Sequence, residues 1–577
     1  MSARQGPVHV ATTRRTYGDK TYRTHLLRRT YREDGKVKNE TVGNLSHLPD
    51  PVIELIRRAL RGETLVNPAE GFEVLASRMH GDGAAVLRAI HRLKLRELFG
   101  ARRNRQADLV IGMIAARVLA PHTKLATTRW WQTRTLAEDL GIGDATEDEL
   151  YAAMDWLLER QGAVEHKLAA RHLDEGALAL YDLSSSYFEG TQCTLAKIGY
   201  SRDGKRNKPQ VNYGLLADRR GCPVAVSVYA GNVGDAKTLL PQVERLKEDF
   251  GLNEVVLVGD RGMIGQAHIE TLRQRTGLSW ITALKSGQIR ALVKGEALQL
   301  GLFDERNLFE LAHPDYPGER LVACRNPELA RLRAHKRAAL LCATEAELDK
   351  VRAMVERGSL AGAAKIGVRV GRVLNKYKVA KHFVLTIEDT RFAWQRDSSS
   401  IETEAALDGV YVIRTAVAAE VMNAPQVVRH YKGLAEVERA FRSLKTVDLK
   451  IRPIHHRLEH RVRAHIFLCM LAYYVEWHLR QVWRELLFAD EEQAAKAERD
   501  PVAPARRSVS ADQKASGHTL ADGSPVHSLR TLFDELATQV RNTCRTRVAS
   551  DAPTFQLITQ PSPTQRRALA LVETISP

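Results

Sequence analysis

The chain has 577 residues, and its 86 lysines and arginines exceed its 69 aspartates and glutamates by a formal net charge of +17. With 44% hydrophobic and 27% charged residues, the composition excludes a collagen-like, low-complexity or wholly disordered chain. At roughly 100–200 residues per domain the length predicts three to five domains, and so large a positive charge predicts a polyanionic partner.

Several common motifs are absent. The six cysteines form no C-x-x-C pair of the kind found in zinc ribbons, and no G-x-x-x-x-G-K-[ST] loop for ATP is present. The longest wholly apolar run, Ile466–Val475, is about half of a membrane span, and the first residues lack the apolar core of a signal peptide. We therefore expect a cytoplasmic protein with no membrane partner.

The N-terminal region, residues 1–69, is predicted to be a basic arm. Residues 1–38 contain ten lysines and arginines against three acidic residues, alternate in polarity over Thr21–Thr30, and include the turn sequence Glu33-Asp34-Gly35. This pattern favours a β-hairpin, and a solvated basic tail is the alternative.

Residues 70–170 are predicted to form a helical domain. Apolar residues recur at helical spacing in Ala84–Leu98 and Ala107–Leu119, and a third helix, Asp144–Gln161, begins with acidic residues, as helix N-termini prefer. In so basic a chain this bundle is a candidate DNA-binding domain, and a purely structural bundle is the alternative.

Residues 171–285 alternate between strands and helices. Short apolar runs predict five strands, at Ala177–Asp182, Val211–Leu216, Pro223–Ala230, Glu254–Gly259 and Ser279–Leu284. Hairpins followed by strand–helix units are typical of an α/β domain, in which helices cover a mixed sheet.

The second half of the chain interrupts this pattern and then resumes it. Residues 286–408, with charged helices at Asn326–Glu356 and a strand at Gly367–Leu374, are predicted to be an inserted subdomain. Residues 409–485 return to a buried strand and to helices, and the C-terminal region, residues 486–577, is predicted to be partly disordered.

Two aspartates, Asp182 and Asp260, directly follow apolar strands. Carboxylates at neighbouring strand ends converge at the edge of a sheet, and their hard oxygens are the ligands that Mg²⁺ prefers. Strand-end aspartates also serve as helix caps and turn residues, so the position of both on one sheet is what favours a metal site.

A helical segment near the end of the sheet domain carries further polar residues. In one continuous helix Tyr431, Glu438 and Lys445 lie on nearly the same face, and Arg442 lies one turn from Glu438. The alternative interpretation is an ordinary amphipathic helix with a Glu–Arg pair, and Gly433 is a candidate break in that helix.

A basic loop, Ser201–Lys208, connects the first two predicted strands beside Asp182. Its cations, Arg202, Lys205 and Arg206, are predicted to contact DNA phosphates, and a solvated hairpin tip is the alternative.

These segments resemble the DDE transposases of bacterial insertion sequences, in the branch like insertion sequence four. The aspartates lie in ALALYDLSSSYFEG and EVVLVGDRGM, and the helix follows the family signature Y-x2-R-x3-E-x6-K with Tyr431, Glu438 and Lys445. The sequence has Leu434 where the signature has arginine, and Lys432 or Arg442 is the candidate substitute. The resemblance covers roughly residues 75–480, and the insertion before the glutamate is typical of this branch.

The resemblance implies a ribonuclease-H-like catalytic core, a mixed five-stranded sheet interrupted by the inserted subdomain and preceded by the helical domain. It implies that Asp182, Asp260 and Glu438 hold two Mg²⁺ ions, which Mn²⁺ can replace. Tyr431, Lys445, Arg442 and Lys432 would hold the DNA backbone.

The implied function is that of a transposase of the bacterial nucleoid. It would bind double-stranded DNA at the end repeats of its element as a homodimer, cleave it, and join the 3′ ends to target DNA. A ribonuclease-H-like nuclease that uses only water, or an inactive DNA-binding descendant of a transposase, is the alternative.

Overall fold

The computed structural model describes residues 6–63, 71–503, 506–547 and 552–577. The chain divides into two compact units, one made of Met1–Ser77 and Arg541–Thr559 and the other of Arg78–Val540 and Gln560–Pro577.

The first unit begins with an antiparallel sheet of three strands, followed by one helix. The elements are β1 (Val8–Tyr17), β2 (Lys20–Glu33), β3 (Lys36–Asn44) and α1 (Asp50–Leu60). Asp34 and Gly35 form the turn between β2 and β3, both with positive φ, a conformation for which Gly and Asp are the usual residues. After α1 comes β4 (Phe72–Met79), which belongs to a second small sheet.

The second unit begins with a layer of helices, which are α2 (Gly81–Arg92), α3 (Leu95–Leu98), α4 (Arg105–Leu119), α5 (Lys124–Trp131), α6 (Leu136–Leu140), α7 (Glu147–Leu158) and α8 (Gln161–His172). Asn104 caps α4, and Thr146 and Glu149 form a capping box at the start of α7. Helix α4 is buried from Ala107 to Leu119 and belongs to the main hydrophobic core.

A mixed sheet of eight strands lies at the centre of this unit. Its strands are β5 (Ala177–Tyr187), β6 (Gln210–Ala217), β7 (Pro223–Ala230), β8 (Val255–Val258), β9 (Leu278–Ala283), β10 (Leu308–Leu311), β11 (Arg320–Arg325) and β14 (Val410–Thr415), in the order β10-β11-β14-β9-β8-β5-β6-β7. Strand β8 pairs in parallel with both β5 and β9, and the other pairs are antiparallel.

Helices α9 (Leu239–Glu244), α10 (Gln266–Arg273) and α11 (Ser286–Lys294) connect strands of this sheet. The predicted α/β class and mixed sheet are confirmed, and all five predicted strands are present and adjacent. The sheet is larger than predicted because β10, β11 and β14 extend it beyond β9. Their membership depends on pairing between distant segments, which local pattern does not specify.

Between β11 and β14 lies a segment with its own hydrophobic core. It contains α12 (Pro327–Glu356), α13 (Ala363–Tyr377), the hairpin of β12 (Phe383–Ile387) and β13 (Phe392–Arg396), and α14 (Ser398–Ala405). The predicted strand at Gly367–Leu374 is wrong, because this stretch lies inside α13. Its buried residues Ile366, Val370 and Val373 are four and three positions apart, which is the helical period.

The remaining elements complete both units. They are α15 (Ala424–Lys432), α16 (Leu434–Arg442), α17 (Glu459–Val482), α18 (Gln493–Glu498), α19 (Val509–Gly517), α20 (Leu529–Ala537), β15 (Val540–Thr546), β16 (Thr554–Ile558) and α21 (Pro563–Val572). Helix α17 is buried along most of its length, and α20 and α21 contribute to the same core. Strands β15 and β16 form the second small sheet of the first unit, in the order β16-β15-β4.

In the described part of the chain, no single helix has both the length and the apolar composition needed to cross a membrane. Helices α4 and α5 reach that threshold only when taken together, and a bend of 90° separates them.

A buried ion pair links two of the added strands, and its glutamate also contacts the rest of the domain. Arg414 on β14 donates from Nε and Nη2 to the two carboxylate oxygens of Glu319, each at 2.6 Å, and both side chains are almost fully buried. Arg273 on α10 and the indole of Trp280 on β9 also donate to Glu319.

We expect Glu319→Ala to destabilise the protein by about 3–5 kcal/mol, because it leaves the buried guanidinium of Arg414 without its partner. The matched control is Glu310→Ala, which removes a more exposed glutamate paired with Arg320 and should cost less than about 1 kcal/mol. Urea unfolding of both variants measures the difference, and equal losses would contradict this role of Glu319.

Candidate active site

The register of two parallel strands brings the predicted aspartates together. Leu180 on β5 lies opposite Val258 on β8, and Asp182 and Asp260 are each two residues further along their segments. Neighbouring strands are about 4.8 Å apart, and residues two positions apart share a face of the sheet. The two carboxylates therefore lie side by side at the edge of the sheet where β8 ends. The prediction that Asp182 follows its strand is wrong, because β5 continues past it to Tyr187 and stays paired with β6.

The Asp260 side chain is fixed by the turn that follows β8. Its Oδ1 atom accepts hydrogen bonds from the backbone N–H groups of Gly262, at 2.9 Å, and Met263, at 2.8 Å. A Cβ atom at position 262 would be 3.3 Å from that same oxygen, so glycine leaves room for the carboxylate. The sequence Asp-Arg-Gly-Met thus holds one oxygen of Asp260 and leaves the other available.

Glu438 reaches this edge from a helix that packs against β5. Gly433, between α15 and α16, is where the chain comes close to the strand, since a Cβ atom there would be 3.7 Å from the side chain of Leu180. Glu438 is exposed on α16, whereas its neighbours Val437 and Phe441 are buried in the core. The glutamate therefore faces solvent beside the aspartates.

The three carboxylates interact electrostatically. Burial raises the pKa of Asp182 to about 7, and the negative charges of Asp260 and Glu438 contribute to this rise. The backbone N–H of Leu183 and the guanidinium of Arg202 act in the opposite direction. In the described structure, no lysine, arginine or histidine forms an ion pair with any of these carboxylates, so their shared negative charge is not neutralised by the protein.

Tyr431 lies in the same electrostatic environment. Its ring packs against the main core, and burial raises the pKa of its hydroxyl to about 12, with a further contribution from the charge of Asp260. Arg261 lowers this pKa, and Glu438 raises it. The structure therefore brings together Asp182, Asp260, Tyr431 and Glu438.

The basic loop is anchored to β5 just beyond Asp182. The backbone N–H of Arg202 donates to the hydroxyl of Ser185 at 3.1 Å, and the backbone N–H of Tyr187 donates to Oδ2 of Asp203 at 3.1 Å. The Arg202 guanidinium pairs with Asp235 at 2.6 Å. Lys205 and Arg206 are exposed on this loop.

Asp203 is a residue of this site that the sequence analysis missed. Its side chain is 1% exposed and forms ion pairs with Lys445, at 3.2 Å, and with Arg452. Burial lowers the pKa of Lys445, and the Asp203 carboxylate opposes this shift. A single acidic residue inside a basic loop was the available sequence signal, because such a residue commonly pairs with a neighbouring cation.

The helix expected to present Tyr431, Glu438 and Lys445 on one face is not continuous. It is interrupted at Gly433 and changes to a π-helical turn over Ser443–Val447, which contains Lys445. In this turn the Ser443 hydroxyl lies 2.8 Å from Oε1 of Glu476 on α17. Lys445 is consequently buried against Asp203, whereas Glu438 is exposed.

The remaining predicted DNA contacts occupy different places. Lys432 donates from Nζ to the backbone carbonyl of Pro501, and Arg442 is exposed on α16. Leu434, at the position where the signature has arginine, is buried in the main core. An arginine there would place a charge among apolar side chains, so leucine suits this packing.

The comparisons with known families agree with this geometry. A family model described as the transposase DDE domain matches residues 179–475, just over half of the chain. A second model, described as the IS1634 family transposase N-terminal domain, matches residues 10–69. A search of curated proteins gives no match. The chain therefore belongs to the DDE transposases, and its N-terminal region is similar to the N-terminal domain of IS1634 family transposases. Such transposases normally use a divalent metal.

We expect the charge of Asp182 to destabilise the protein when divalent metal is absent. Because the pKa of Asp182 is raised from near 4 to about 7 in the folded state, the cost of ionising it is absent below pH 4 and complete above pH 7. The free energy of unfolding of Asp182→Asn, minus that of the wild type, should therefore increase by a few kcal/mol as the pH rises from about 4 to above 7.

Thermal unfolding in the presence of a chelator, at pH 5 and pH 8, measures this effect. The exposed Asp534 on α20 provides the control variant Asp534→Asn, which should follow the wild type at both pH values. A constant difference between Asp182→Asn and the wild type would contradict the prediction.

Proposed function

We propose that this transposase binds the ends of an insertion sequence, cleaves DNA there, and joins the freed 3′ ends to target DNA by Mg²⁺-dependent phosphoryl transfer. The observation that carries the proposal is the convergence of Asp182, Asp260 and Glu438 at one sheet edge. Asp182 lies on the first strand of a mixed sheet and Asp260 follows the fourth, which supports a ribonuclease-H-like core.

The donor atoms suit a hard divalent cation. All three side chains offer carboxylate oxygens. Their negative charges repel one another when ionised, and among the described residues no lysine, arginine or histidine forms an ion pair with them. We assign Asp182, Asp260 and Glu438 as the residues that hold two Mg²⁺ ions, with Mn²⁺ as a substitute. When bound, the ions would neutralise phosphate charge and make water a nucleophile at neutral pH.

The surrounding side chains would position DNA across the carboxylates. Tyr431 lies beside Asp260 and Glu438, and Arg442, Lys205 and Arg206 are exposed and free to meet backbone phosphates. Arg202 and Lys445 are held by Asp235 and Asp203, so they would act from fixed positions. Lys432 would contribute least to DNA binding, because its ammonium group donates a hydrogen bond to the backbone carbonyl of Pro501.

The exposed arginines of the hairpin formed by β1 and β2 support a role of the N-terminal unit in DNA binding. Arg14 lies directly opposite Arg23 in the sheet, so that two like charges are neighbours, and Arg23 also forms an exposed ion pair with Asp50 at 3.8 Å. Arg15 is exposed next to them, and Tyr17 is 87% exposed near the hairpin tip. A DNA backbone would neutralise these cations, and we propose that this unit contacts the end repeats.

The two ends of the insertion sequence must be held together when they are joined to target DNA. We therefore propose that the DNA-bound form is a homodimer that acts at the bacterial nucleoid. Both steps would be in-line phosphoryl transfers in which the protein positions the reacting groups and stabilises charge.

We expect Asp182→Asn, Asp260→Asn and Glu438→Gln each to lower the rate of Mg²⁺-dependent cleavage of an end-containing DNA by about 10³-fold, because each removes a metal-binding charge. Glu436→Gln is the matched control, since Glu436 lies on the same helix and pairs with Arg439. It should cleave within about threefold of the wild type.

The products of this assay separate the alternatives. Joined strands support a transposase, and cleavage without joining would instead indicate a nuclease. DNA binding without any Mg²⁺-dependent cleavage by the wild type would indicate an inactive descendant. Wild-type rates in all three carboxylate variants would overturn the site assignment.

We expect the triple variant Arg14→Ala, Arg15→Ala, Arg23→Ala to bind end-repeat DNA more weakly and with a shallower salt dependence. Each lost phosphate contact should reduce the slope of log affinity against log salt by about 0.9. The control removes three exposed cations of α12, as Arg331→Ala, Arg333→Ala, Lys336→Ala. Equal slopes for the two triple variants, measured by fluorescence anisotropy, would argue against a DNA-binding hairpin.

A further inference from the structure

Three potential metal ligands from distant parts of the sequence meet in the interior of the second unit. His172 is at the end of α8, Cys222 precedes β7, and His478 lies on α17. One ligand atom from each lies within 4.8 Å of the others, and Cys222 Sγ is 3.8 Å from His478 Nε2. Cys222 is fully buried, and His478 is 7% exposed.

The spacing fits a thiolate–imidazole metal site. With Zn–S bonds of about 2.3 Å and Zn–N bonds of about 2.0–2.1 Å in tetrahedral geometry, sulfur and nitrogen ligands are about 3.6 Å apart. The observed distance of 3.8 Å between Cys222 Sγ and His478 Nε2 is close to this value. Two imidazoles with one thiolate suit zinc and are poor ligands for Mg²⁺.

Neighbouring groups hold two of these ligands in place. The Tyr474 hydroxyl lies 3.0 Å from Nε2 of His172, which is the contact that a metal-ligating histidine uses to fix its ring. The buried carboxylate of Asp218 accepts a hydrogen bond from the backbone N–H of Cys222 at 2.9 Å. Both contacts orient a ligand without using its metal-binding atom, provided that His172 ligates through Nδ1.

One cation competes for the site. Arg220 lies 3.3 Å from Nδ1 of His172 and also pairs with Asp218 at 2.8 Å. Its side chain is 54% exposed, so it can turn towards solvent while Asp218 continues to balance local charge. Metal binding therefore requires displacement of one half-exposed side chain and closer approach of ligand atoms that lie within 4.8 Å of one another.

The geometry points to a Zn²⁺ site with three protein ligands, His172, Cys222 and His478, and a fourth position for water, separate in chemistry from the carboxylates. The site lies next to the helix that carries Glu438. Gly221, next to Cys222, has a φ of +81°, and a Cβ atom there would be 2.5 Å from Cβ of Glu436. The turn that contains Cys222 thus packs against α16, the helix that carries Glu438.

Cobalt provides the test, because a thiolate bound to Co²⁺ gives a charge-transfer absorption that carboxylates cannot produce. Full-length protein, freed of metal by a chelator under reducing conditions, is titrated with Co²⁺ in excess Mg²⁺. We expect the absorption to saturate at one equivalent of Co²⁺ and to disappear when Zn²⁺ is added.

Two variants and one control make the result specific. Cys222→Ala should abolish the absorption, and His172→Gln, which alters a half-buried side chain, should weaken Co²⁺ binding at least tenfold while circular dichroism shows an unchanged fold. Cys324→Ala truncates another fully buried cysteine, on β11, and should retain the absorption. No absorption in the wild type, or its persistence in Cys222→Ala, would overturn the proposal.

Discussion

The parallel pairing of β5 with β8 sets the arrangement of the site. It places Asp182 and Asp260, which are far apart in the sequence, on adjacent segments, where burial and mutual repulsion raise the pKa of Asp182 to about 7. Glu438 adds a third negative charge from α16, which packs against β5. Such a cluster costs folding free energy unless a cation joins it, and this is the physical basis of the proposed metal site.

Several basic side chains near this cluster form ion pairs with other acids. Asp235 pairs with Arg202, and Asp203 pairs with Lys445 and Arg452. If these cations paired directly with the three carboxylates, they would lower the carboxylates' affinity for metal. The pairing with Asp235 and Asp203 keeps positive charge close to the place where DNA would lie and leaves the carboxylates open.

The sequence pattern pointed to the candidate site residues, but it did not predict which side chains they contact. The apolar runs before Asp182 and Asp260 drew attention to these two residues, and the resemblance to a family signature, more than helix geometry, drew attention to Glu438; their role in metal binding stays a prediction. Pattern failed at Lys445, because the ideal helix that placed it beside Glu438 gives way to a π-helical turn fixed by Glu476 of α17. It also missed Asp203, whose partners lie more than 200 residues away.

By itself, the sequence determined the α/β class, the location of five strands of the sheet, the family resemblance and the basic character of the chain, because these depend on local periodicity, composition and short motifs. Only the tertiary structure decided that β10, β11 and β14 extend the sheet, and that His172, Cys222 and His478 meet. Strand pairing and side-chain convergence of this kind depend on contacts between residues distant in the chain, and no local pattern encodes them.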